Sequence, residues 1–299
     1  LDDKIALVDT VEVDFFPQFL DNIRRVIGDR QIDYIIVNHV EPDHSGSIAL
    51  IKKYYPEAVI VGNKKTFDML SGYYGVGNKG DILEVKQGDT LSLGHHELAF
   101  TMVPMVHWPE TMVTLDTTAA TLFAGDAFGC FGALSGAVID EDMCCDIFWD
   151  EMRRYYSNIV GKYGVQVQQA LKKIAGVKLD YICSTHGPVW HAYIERVVSM
   201  YDSMSRYEAE NGLVVCYGSM YGNTAVALGA PTYNNEIYPP MESLLSELAG
   251  RNLKNRFLSV FGSFTWAGQT VKKILAYNEA KMKLELVGNT VEIKQSLSE

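Results

Sequence analysis

The sequence predicts an α/β protein with two domains: an αβ/βα sandwich over residues 1–210, then a doubly wound parallel sheet over residues 211–299. Two observations lead to this prediction. In the first domain, short apolar runs alternate with amphipathic helical patterns, and several strand-like runs then follow one another without a helix. In the second domain, strands and helices alternate regularly, as they do around a parallel sheet. A chain of 299 residues is long enough for both.

The first domain has strand and helix patterns in the order of a layered sandwich. The β-rich runs are residues 34–37, 58–61 and 181–183, and amphipathic helices are predicted over 16–27 and 47–55. From Ile82 to Phe123, strand-like runs are separated by turn residues alone. This mixture predicts two sheets with helices packed outside them. A predicted helix over 194–210 ends at Asn211-Gly212, a typical helix stop, and we place the domain boundary there.

The second domain keeps one alternation from residue 213 onward. Strands are predicted over 213–217, 226–228, 257–260 and 284–287, with helices over 240–249 and 269–280. Parallel strands are joined by helical crossovers, so this alternation predicts a doubly wound parallel sheet.

Composition and charge exclude several classes of protein. Hydrophobic residues make up 47% of the chain and charged residues 21%, which is the usage of a folded globular protein. The formal net charge of −11 argues against binding to nucleic acid or to an anionic membrane. No apolar run is long enough to span a bilayer, and no signal-peptide pattern is present. The five cysteines include no Cys-x-x-Cys pair, which argues against a disulfide framework or a fused rubredoxin site, so we expect a cytoplasmic protein.

A cluster of candidate metal ligands directly follows the predicted strand over residues 34–37. The segment His39-Val40-Glu41-Pro42-Asp43-His44 contains four ligand side chains. Alternate side chains of an extended chain share a side, so His39, Glu41 and Asp43 can converge.

Three further candidates, His107, Asp126 and His186, each follow another predicted strand. Loops at strand ends meet at one edge of a rigid sandwich, so these side chains can join the first four. Four imidazoles and three carboxylates then form a set for two metal ions, with Asp126 as the natural bridging carboxylate.

The order His-x-Glu-x-Asp-His, followed by His, Asp and His, resembles the flavodiiron proteins (A-type flavoproteins), whose N-terminal domain has a metallo-β-lactamase-like fold. Zinc-dependent relatives of that fold usually carry His where this chain has Glu41. A carboxylate is a harder ligand than imidazole and suits iron or manganese, whereas zinc sites depend more on His and Cys. The resemblance implies a non-haem diiron site in which the four histidines and Asp126 are also the catalytic residues. One iron is held by His39, Glu41 and His107, and the other by Asp43, His44 and His186, with Asp126 between them.

The second domain resembles a flavodoxin-like FMN domain at three predicted loops. The first is Ser219-Met220-Tyr221-Gly222-Asn223-Thr224, which offers hydroxyl and backbone N–H groups but no Lys, as suits a single phosphate. Two later loops resemble those that flank the isoalloxazine ring. They contain Pro231, Thr232, Tyr233 and Asn234 in one case, and Ser263, Phe264, Thr265, Trp266 and Gly268 in the other. These residues are the candidate FMN contacts.

The connection after the predicted phosphate loop is shorter than the family pattern requires. Only residues 218–225 lie between Tyr217 and Val226, whereas a parallel crossover needs a dozen or more residues and usually a helix. In the family, a helix, a strand and further structure lie there. We therefore expect that a segment is missing after Thr224, and a true deletion puts FMN binding in doubt.

The resemblance implies an oxidoreductase that reduces O₂ to water, NO to N₂O, or both, with FMN supplying electrons to the diiron site. It also implies a cytoplasmic location, an external electron donor such as rubredoxin, and a head-to-tail homodimer or a dimer of dimers. Two alternatives stay open on the sequence. A zinc-dependent hydrolase of the same fold would use a metal-bound hydroxide and no flavin. A pure electron carrier would need the flavin but not the seven ligand candidates.

Overall fold

The computed structural model describes residues 1–77, 80–208, 210–215, 223–233, 235–264 and 267–294, with the backbone alone over 210–215 and 223–224. The chain forms two compact units. The first unit contains residues 1–152 and 165–199, and the second contains residues 153–164 and 200–299. The domain limits of 1–210 and 211–299 stay a prediction.

The first unit begins with a four-stranded parallel sheet and its helices. The strands are β1 (Ala6–Val8), β2 (Tyr34–Ile36), β3 (Val59–Gly62) and β4 (Ile82–Glu84), in that order across the sheet. The helices between them are α1 (Phe16–Ile27), α2 (Pro42–Ser45), α3 (Ile48–Tyr54) and α4 (Lys64–Tyr74). The helices predicted over 16–27 and 47–55 are therefore confirmed as α1 and α3.

The second sheet of this unit has six strands and is mostly antiparallel. Its strands are β5 (Thr90–Ser92), β6 (Glu97–Met102), β7 (Met112–Asp116), β8 (Thr121–Gly125), β9 (Tyr181–Ser184) and β10 (Val189–Trp190). They run across the sheet in the order β10-β9-β8-β7-β6-β5, and β8 pairs with β9 in parallel. The helices α5 (Asp146–Ile159) and α6 (Gly164–Ile174) connect β8 to β9, and α7 (Ile194–Ser205) follows β10.

Successive side chains of β2 and β3 point alternately into two different cores, which gives the first unit its layers. Ile35 and Ile60 belong to a core with α1, α3 and α4, whereas their neighbours Ile36 and Val61 belong to a core with residues of the second sheet. Successive side chains of a strand point to opposite faces, so each strand serves both cores. The predicted sandwich of two sheets with helices outside is confirmed in this unit.

The second unit contains a mainly parallel sheet. Its elements are β11 (Glu210–Val215), β12 (Asn223–Tyr233), β13 (Glu236–Ile237), α8 (Pro239–Gly250), β14 (Phe257–Phe264), α9 (Thr270–Tyr277), β15 (Glu285–Leu286) and β16 (Val291–Lys294). The sheet order is β11-β12-β14-β15, with β16 also pairing with β14, and β13 pairing antiparallel with β12. Among the described helices, none has both the length and the apolar character that a membrane span requires.

Several predicted element limits differ from those in the structure. The helix predicted over 194–210 ends at Ser205, because Tyr207 adopts a left-handed backbone (φ 59°) that does not continue a helix. The strands predicted over 226–228 and 257–260 extend to Tyr233 and Phe264, since parallel pairing continues as far as Pro231 opposite Ser263. Proline and glycine usually mark turns, and here the pairing outweighs that tendency.

The strands β11 and β12 are parallel neighbours joined by a short connection. Val214 lies opposite Val226 and Val215 opposite Ala227, yet only residues 216–222 separate the two strands. A helix-containing crossover usually needs a dozen or more residues. The segment expected to be missing after Thr224 stays a prediction.

The helices α8 and α9 pack on one face of this sheet. Leu258 and Val260 of β14 are buried with residues of both helices. On the opposite face of the same strand, Phe257 and Phe261 are 41% and 42% exposed. Parallel sheets are normally covered on both faces, so this face is unusually open for a doubly wound sheet.

Candidate metal centre

The first four candidate ligands lie where β2 passes into α2. His39 is fully buried just after β2, and Glu41 precedes the first residue of α2. Pro42 occupies the first position of α2, where its fixed φ suits the start of a helix. Asp43 and His44 therefore lie in a helical turn, and the predicted extended alternation ends at Glu41.

The other three candidates follow strands of the second sheet. His107 lies in the loop between β6 and β7, Asp126 directly follows β8, and His186 lies two residues after β9. Because β8 and β9 are parallel neighbours, with Gly125 opposite Ser184, their carboxyl ends lie side by side. The sheet thus holds Asp126 and His186 next to each other at one edge.

Three of the candidates form what we call the first cluster: His39, Glu41 and His107. The Nε2 atoms of His39 and His107 are 3.3 Å apart, and Glu41 Oε2 lies 3.0 Å from His107 Nε2 and 3.4 Å from His39 Nε2. These atoms and one oxygen of Asp126 all lie within 4.8 Å of one another. One metal ion can contact all of them.

The second cluster contains Asp43, His44 and His186. His186 Nε2 lies 3.3 Å from Asp43 Oδ2, and His44 Nε2 lies 3.7 Å from Asp43 Oδ1. The three ligand atoms also lie within 4.8 Å of one another. His44 is buried, and its Nε2 faces the carboxylates of Asp43 and Asp126, which is the position that a metal-binding nitrogen of this cluster requires.

Asp126 lies between the two clusters and is almost completely buried. Its Oδ2 is 3.0 Å from His107 Nε2 and 3.5 Å from His39 Nε2. Its Oδ1 is 2.9 Å from His44 Nε2 and 3.2 Å from His186 Nε2. Each carboxylate oxygen therefore faces one cluster, which is the geometry that a carboxylate bridge between two metal ions requires.

Without metal, the histidines of the centre are strongly basic. Burial lowers the pKa of His44, but the carboxylates of Asp126 and Asp9 outweigh burial and raise it to about 11. Burial also lowers the pKa of His107, and its two neighbouring carboxylates outweigh this and raise it to about 9. Hydrogen bonds to carboxylates, Asp126 first, raise the pKa of His186 to about 9. Protons therefore occupy these rings at neutral pH when no metal ion does.

The carboxylates show the opposite shift. Hydrogen bonds from His107 and His39 lower the pKa of Glu41 to about 2. Burial raises the pKa of Asp126, but hydrogen bonds from three histidines outweigh burial and hold the pKa far below its usual range. Ionised carboxylates beside imidazoles form a donor set that suits divalent metal ions, which replace the imidazole protons when they bind.

Two buried carboxyl groups next to the clusters were not predicted from the sequence. Glu110 Oε1 lies 2.8 Å from His39 Nδ1, and Asp9 Oδ2 lies 3.7 Å from His44 Nδ1. Glu110 lies three residues after His107 in the same loop, and this proximity to a candidate ligand could have pointed to it. Asp9 directly follows β1, where a single aspartate has no distinguishing pattern.

The candidate FMN contacts lie mainly at strand ends or outside the described residues. Pro231, Thr232 and Tyr233 end β12, Ser263 and Phe264 end β14, and Gly268 precedes α9. Asn223 and Thr224 begin β12 rather than forming a loop. Ser219, Met220, Tyr221, Gly222, Asn234, Thr265 and Trp266 lie outside the described residues.

The hydroxyl of Thr232 is already used within the protein. Its Oγ1 accepts hydrogen bonds from the backbone N–H groups of Gln269 and Thr270, at 3.0 and 3.2 Å. These N–H groups lie at the start of α9, where they have no acceptor within the helix. Thr232 supplies that acceptor. Tyr233 is 52% exposed. The strand ends nevertheless lie together, since Pro231 pairs with Ser263 at the carboxyl edge where parallel sheets bind ligands.

Comparison with known proteins identifies a family and several relatives. A family model described as ODP family beta lactamase matches residues 1–187. The nitric oxide reductase of Moorella thermoacetica is 29% identical to this chain, over 96% of the chain and 82% of the relative. That alignment runs over 328 positions, so the relative has residues that this chain lacks. The anaerobic nitric oxide reductase flavorubredoxin of Salmonella arizonae is also 29% identical, and the chain spans 66% of that relative's length.

Solved structures show the same fold. The rubredoxin oxygen:oxidoreductase of Desulfovibrio gigas has a TM-score of 0.93 at 24% identity, over 100% of this chain and 84% of the other. The flavodiiron protein of Giardia intestinalis has a TM-score of 0.88 at 24% identity, over 99% of this chain and 83% of the other. The fold is thus a metallo-β-lactamase-like sandwich followed by a flavodoxin-like sheet. Because the family model covers more than half of the chain, this protein belongs to the ODP family of beta-lactamase-like proteins, and the resemblance to flavodiiron proteins is confirmed.

Proposed function

We propose that this protein reduces O₂ to water, NO to N₂O, or both, at two iron ions. The observation that carries the proposal is the placement of Asp126, whose two carboxylate oxygens face different histidine pairs. The names of the Moorella and Salmonella relatives support NO reduction, and the name of the Desulfovibrio structure supports O₂ reduction.

The donor set fits iron better than zinc. His39, Glu41 and His107 would hold one ion, Asp43, His44 and His186 would hold the other, and Asp126 would contact both. Three carboxylates offset much of the charge of two such ions, and their hard oxygens favour iron over zinc. Glu41 therefore argues against the alternative of a zinc hydrolase.

Two iron ions held by these residues would together supply two electrons to a gas molecule. Coupling two NO molecules to N₂O and water consumes two electrons and two protons, and reducing O₂ to two water molecules consumes four of each. The residues of this chain orient the ions and shield them. Trp108 packs edge-on against His39, with 5.1 Å between ring centroids, and so covers one side of the first cluster.

The described residues do not complete an FMN site. The ring-flanking strand ends lie together, but Thr232 is committed to α9, and residues 216–222 are too few for the usual crossover helix. That helix is the one whose N-terminus normally holds the phosphate. We therefore assign no step of the reaction to a flavin, although the family resemblance implies one.

The electron source and the assembly follow from the resemblance alone. We propose that a separate redox protein, such as rubredoxin, donates the electrons, and that the chain forms a head-to-tail homodimer or a dimer of dimers. We also propose a cytoplasmic location, which the resemblance implies. Light scattering on the purified protein measures the assembly directly.

A single-turnover experiment tests the reaction without a flavin or a redox partner. The protein is loaded with Fe(II) in the absence of air, freed of excess iron and mixed with NO, and N₂O is measured in the headspace. Two Fe(II) ions supply the two electrons for one N₂O, so we expect close to one N₂O per loaded chain. A parallel sample measures O₂ consumption. A fully loaded protein that neither forms N₂O nor consumes O₂ contradicts the proposed function.

A further inference from the structure

Glu110 is a buried carboxyl group that belongs to neither cluster. It is 1% exposed, and its Oε1 lies 2.8 Å from His39 Nδ1 and accepts a hydrogen bond from the backbone N–H of Val40 at 3.0 Å. Its own backbone oxygen accepts a hydrogen bond from Asn63 Nδ2, and Asn63 caps the start of α4. Glu110 is therefore held at both its main chain and its side chain.

These contacts decide which ring nitrogen of His39 carries a proton. A backbone N–H can only donate, so Glu110 Oε1 acts as an acceptor, and His39 Nδ1 is the matching donor. The other nitrogen, Nε2, points at the ligand atoms of the first cluster, 3.3 Å from His107 Nε2 and 3.5 Å from Asp126 Oδ2. With a proton held at Nδ1, a neutral His39 ring would direct the lone pair of Nε2 at a metal ion bound among these atoms.

We propose that Glu110 is a positioning residue of the metal centre, which fixes the tautomer and the ring orientation of His39 so that Nε2 binds the first metal ion. Glu110 also joins the loop that carries His107 to the segment that carries His39. Carboxyl groups behind metal-binding histidines act in this way in many proteins. The inference rests on the proposed two-metal centre but not on which gas the centre reduces.

The second oxygen of Glu110 supports a role beyond packing. Oε2 is buried and meets no hydrogen-bond partner among the described residues. A buried oxygen without a hydrogen-bond partner lowers the stability of the folded protein. Packing alone therefore does not explain a carboxyl group at this position, because a neutral side chain would avoid that cost. A cation held by His39 would offset that cost, because only the imidazole ring would separate it from the Glu110 carboxylate.

Three variants of the full chain separate positioning from folding. Glu110→Ala removes the acceptor, and Glu110→Gln keeps an oxygen that can accept from His39 Nδ1. The matched control is Asp140→Asn: Asp140 is also fully buried, but its oxygens accept backbone N–H groups of Ala192 and Tyr193. The first measurement is Fe(II) affinity without air, by competition with a coloured chelator.

The second measurement is the Nδ1 proton of His39 in the Zn(II)-loaded protein, followed by NMR as a slowly exchanging resonance. We expect Glu110→Ala to weaken one of the two Fe(II) sites by about 10- to 100-fold and to lose the protected proton. Glu110→Gln should restore the proton and most of the affinity. Asp140→Asn should keep wild-type affinity at both sites.

Two results overturn the inference: Glu110→Ala keeps both affinities and the protected proton, or Glu110→Ala and Asp140→Asn weaken both sites equally. A different result overturns the proposed centre itself, namely a wild-type protein that binds fewer than two Fe(II) ions. The two failures are therefore distinguishable.

Discussion

Nε2 of His44 lies 2.9 Å from Oδ1 of Asp126, while the other oxygen of the same carboxylate faces away, toward the first cluster. Because Asp126 is nearly fully buried, it cannot turn to water, and both of its oxygens must find partners inside the protein. Four imidazoles supply those partners in the metal-free state. Two metal ions would do so in the active protein.

Replacing Asp126 by Ala should uncouple the two clusters. The variant loses the one ligand that faces both clusters, so we expect metal content to fall from two ions per chain to one or fewer. Elemental analysis after gel filtration without air measures this. Asp116→Ala is a suitable control, because Asp116 pairs with His96 through a 2.7 Å contact outside both clusters. An Asp126→Ala protein that retains two ions and full turnover excludes the bridging role.

The metal-free protein should lose stability as pH rises from about 6.5 to 9. The pKa values of His107 and His186 rise from 6.5 to about 9 on folding, so their contribution to stability is fully present below pH 6.5 and disappears as pH passes 9. The pKa of Glu41 falls from 4.5 to about 2, so its contribution is present above pH 4.5 and is lost toward pH 2. Both contributions are fully present only between pH 4.5 and pH 6.5. Calorimetry of the metal-free protein should therefore show the highest melting temperature in that range.

The metal-loaded protein is the control for this prediction. Protons compete with metal ions for imidazole nitrogens, so metal binding strengthens as pH rises over the same range. The melting temperature of the loaded protein should then hold steady or increase toward pH 9. A metal-free melting temperature that increases from pH 6.5 to 9 would show that the histidine–carboxylate contacts do not stabilise the fold.

Replacing Glu41 by His should shift metal preference toward zinc. The substitution exchanges a hard oxygen ligand for an imidazole, so the ratio of zinc to iron bound from an equimolar mixture should rise several-fold. Glu41→Asp keeps a carboxylate and serves as the matched control. Equal ratios in wild type, Glu41→His and Glu41→Asp would mean that Glu41 does not contribute to metal choice.

The sequence predicted those features that are encoded over a few neighbouring residues. The limits of α1 follow from its apolar spacing, and the ligand motif from His39 to His44 is contiguous. The alternation that sends Ile35 and Ile36 to different cores is likewise local. The α/β sandwich and the doubly wound sheet could be predicted because each needs only the order of such elements. The metallo-β-lactamase-like and flavodoxin-like classes followed from the resemblance of the ligand motif and of the three predicted loops.

Features that depend on distant contacts could not be predicted. Glu110 meets His39 across 71 positions of the chain, and no spacing rule links a lone carboxyl group to a histidine so far away. Pro231 reads as a turn residue, but its pairing with Ser263 keeps it in β12. The hydrogen bonds of Thr232 to the start of α9 also depend on tertiary structure, so the sequence alone placed this residue in the flavin site.

The metal content of protein purified without air tests the central claim most directly. Inductively coupled plasma mass spectrometry on a sample of known chain concentration gives the number and identity of the bound ions. The two clusters and the carboxylate of Asp126 between them predict two iron ions per chain. Two zinc ions per chain would contradict the redox centre and would indicate a hydrolase of the same fold.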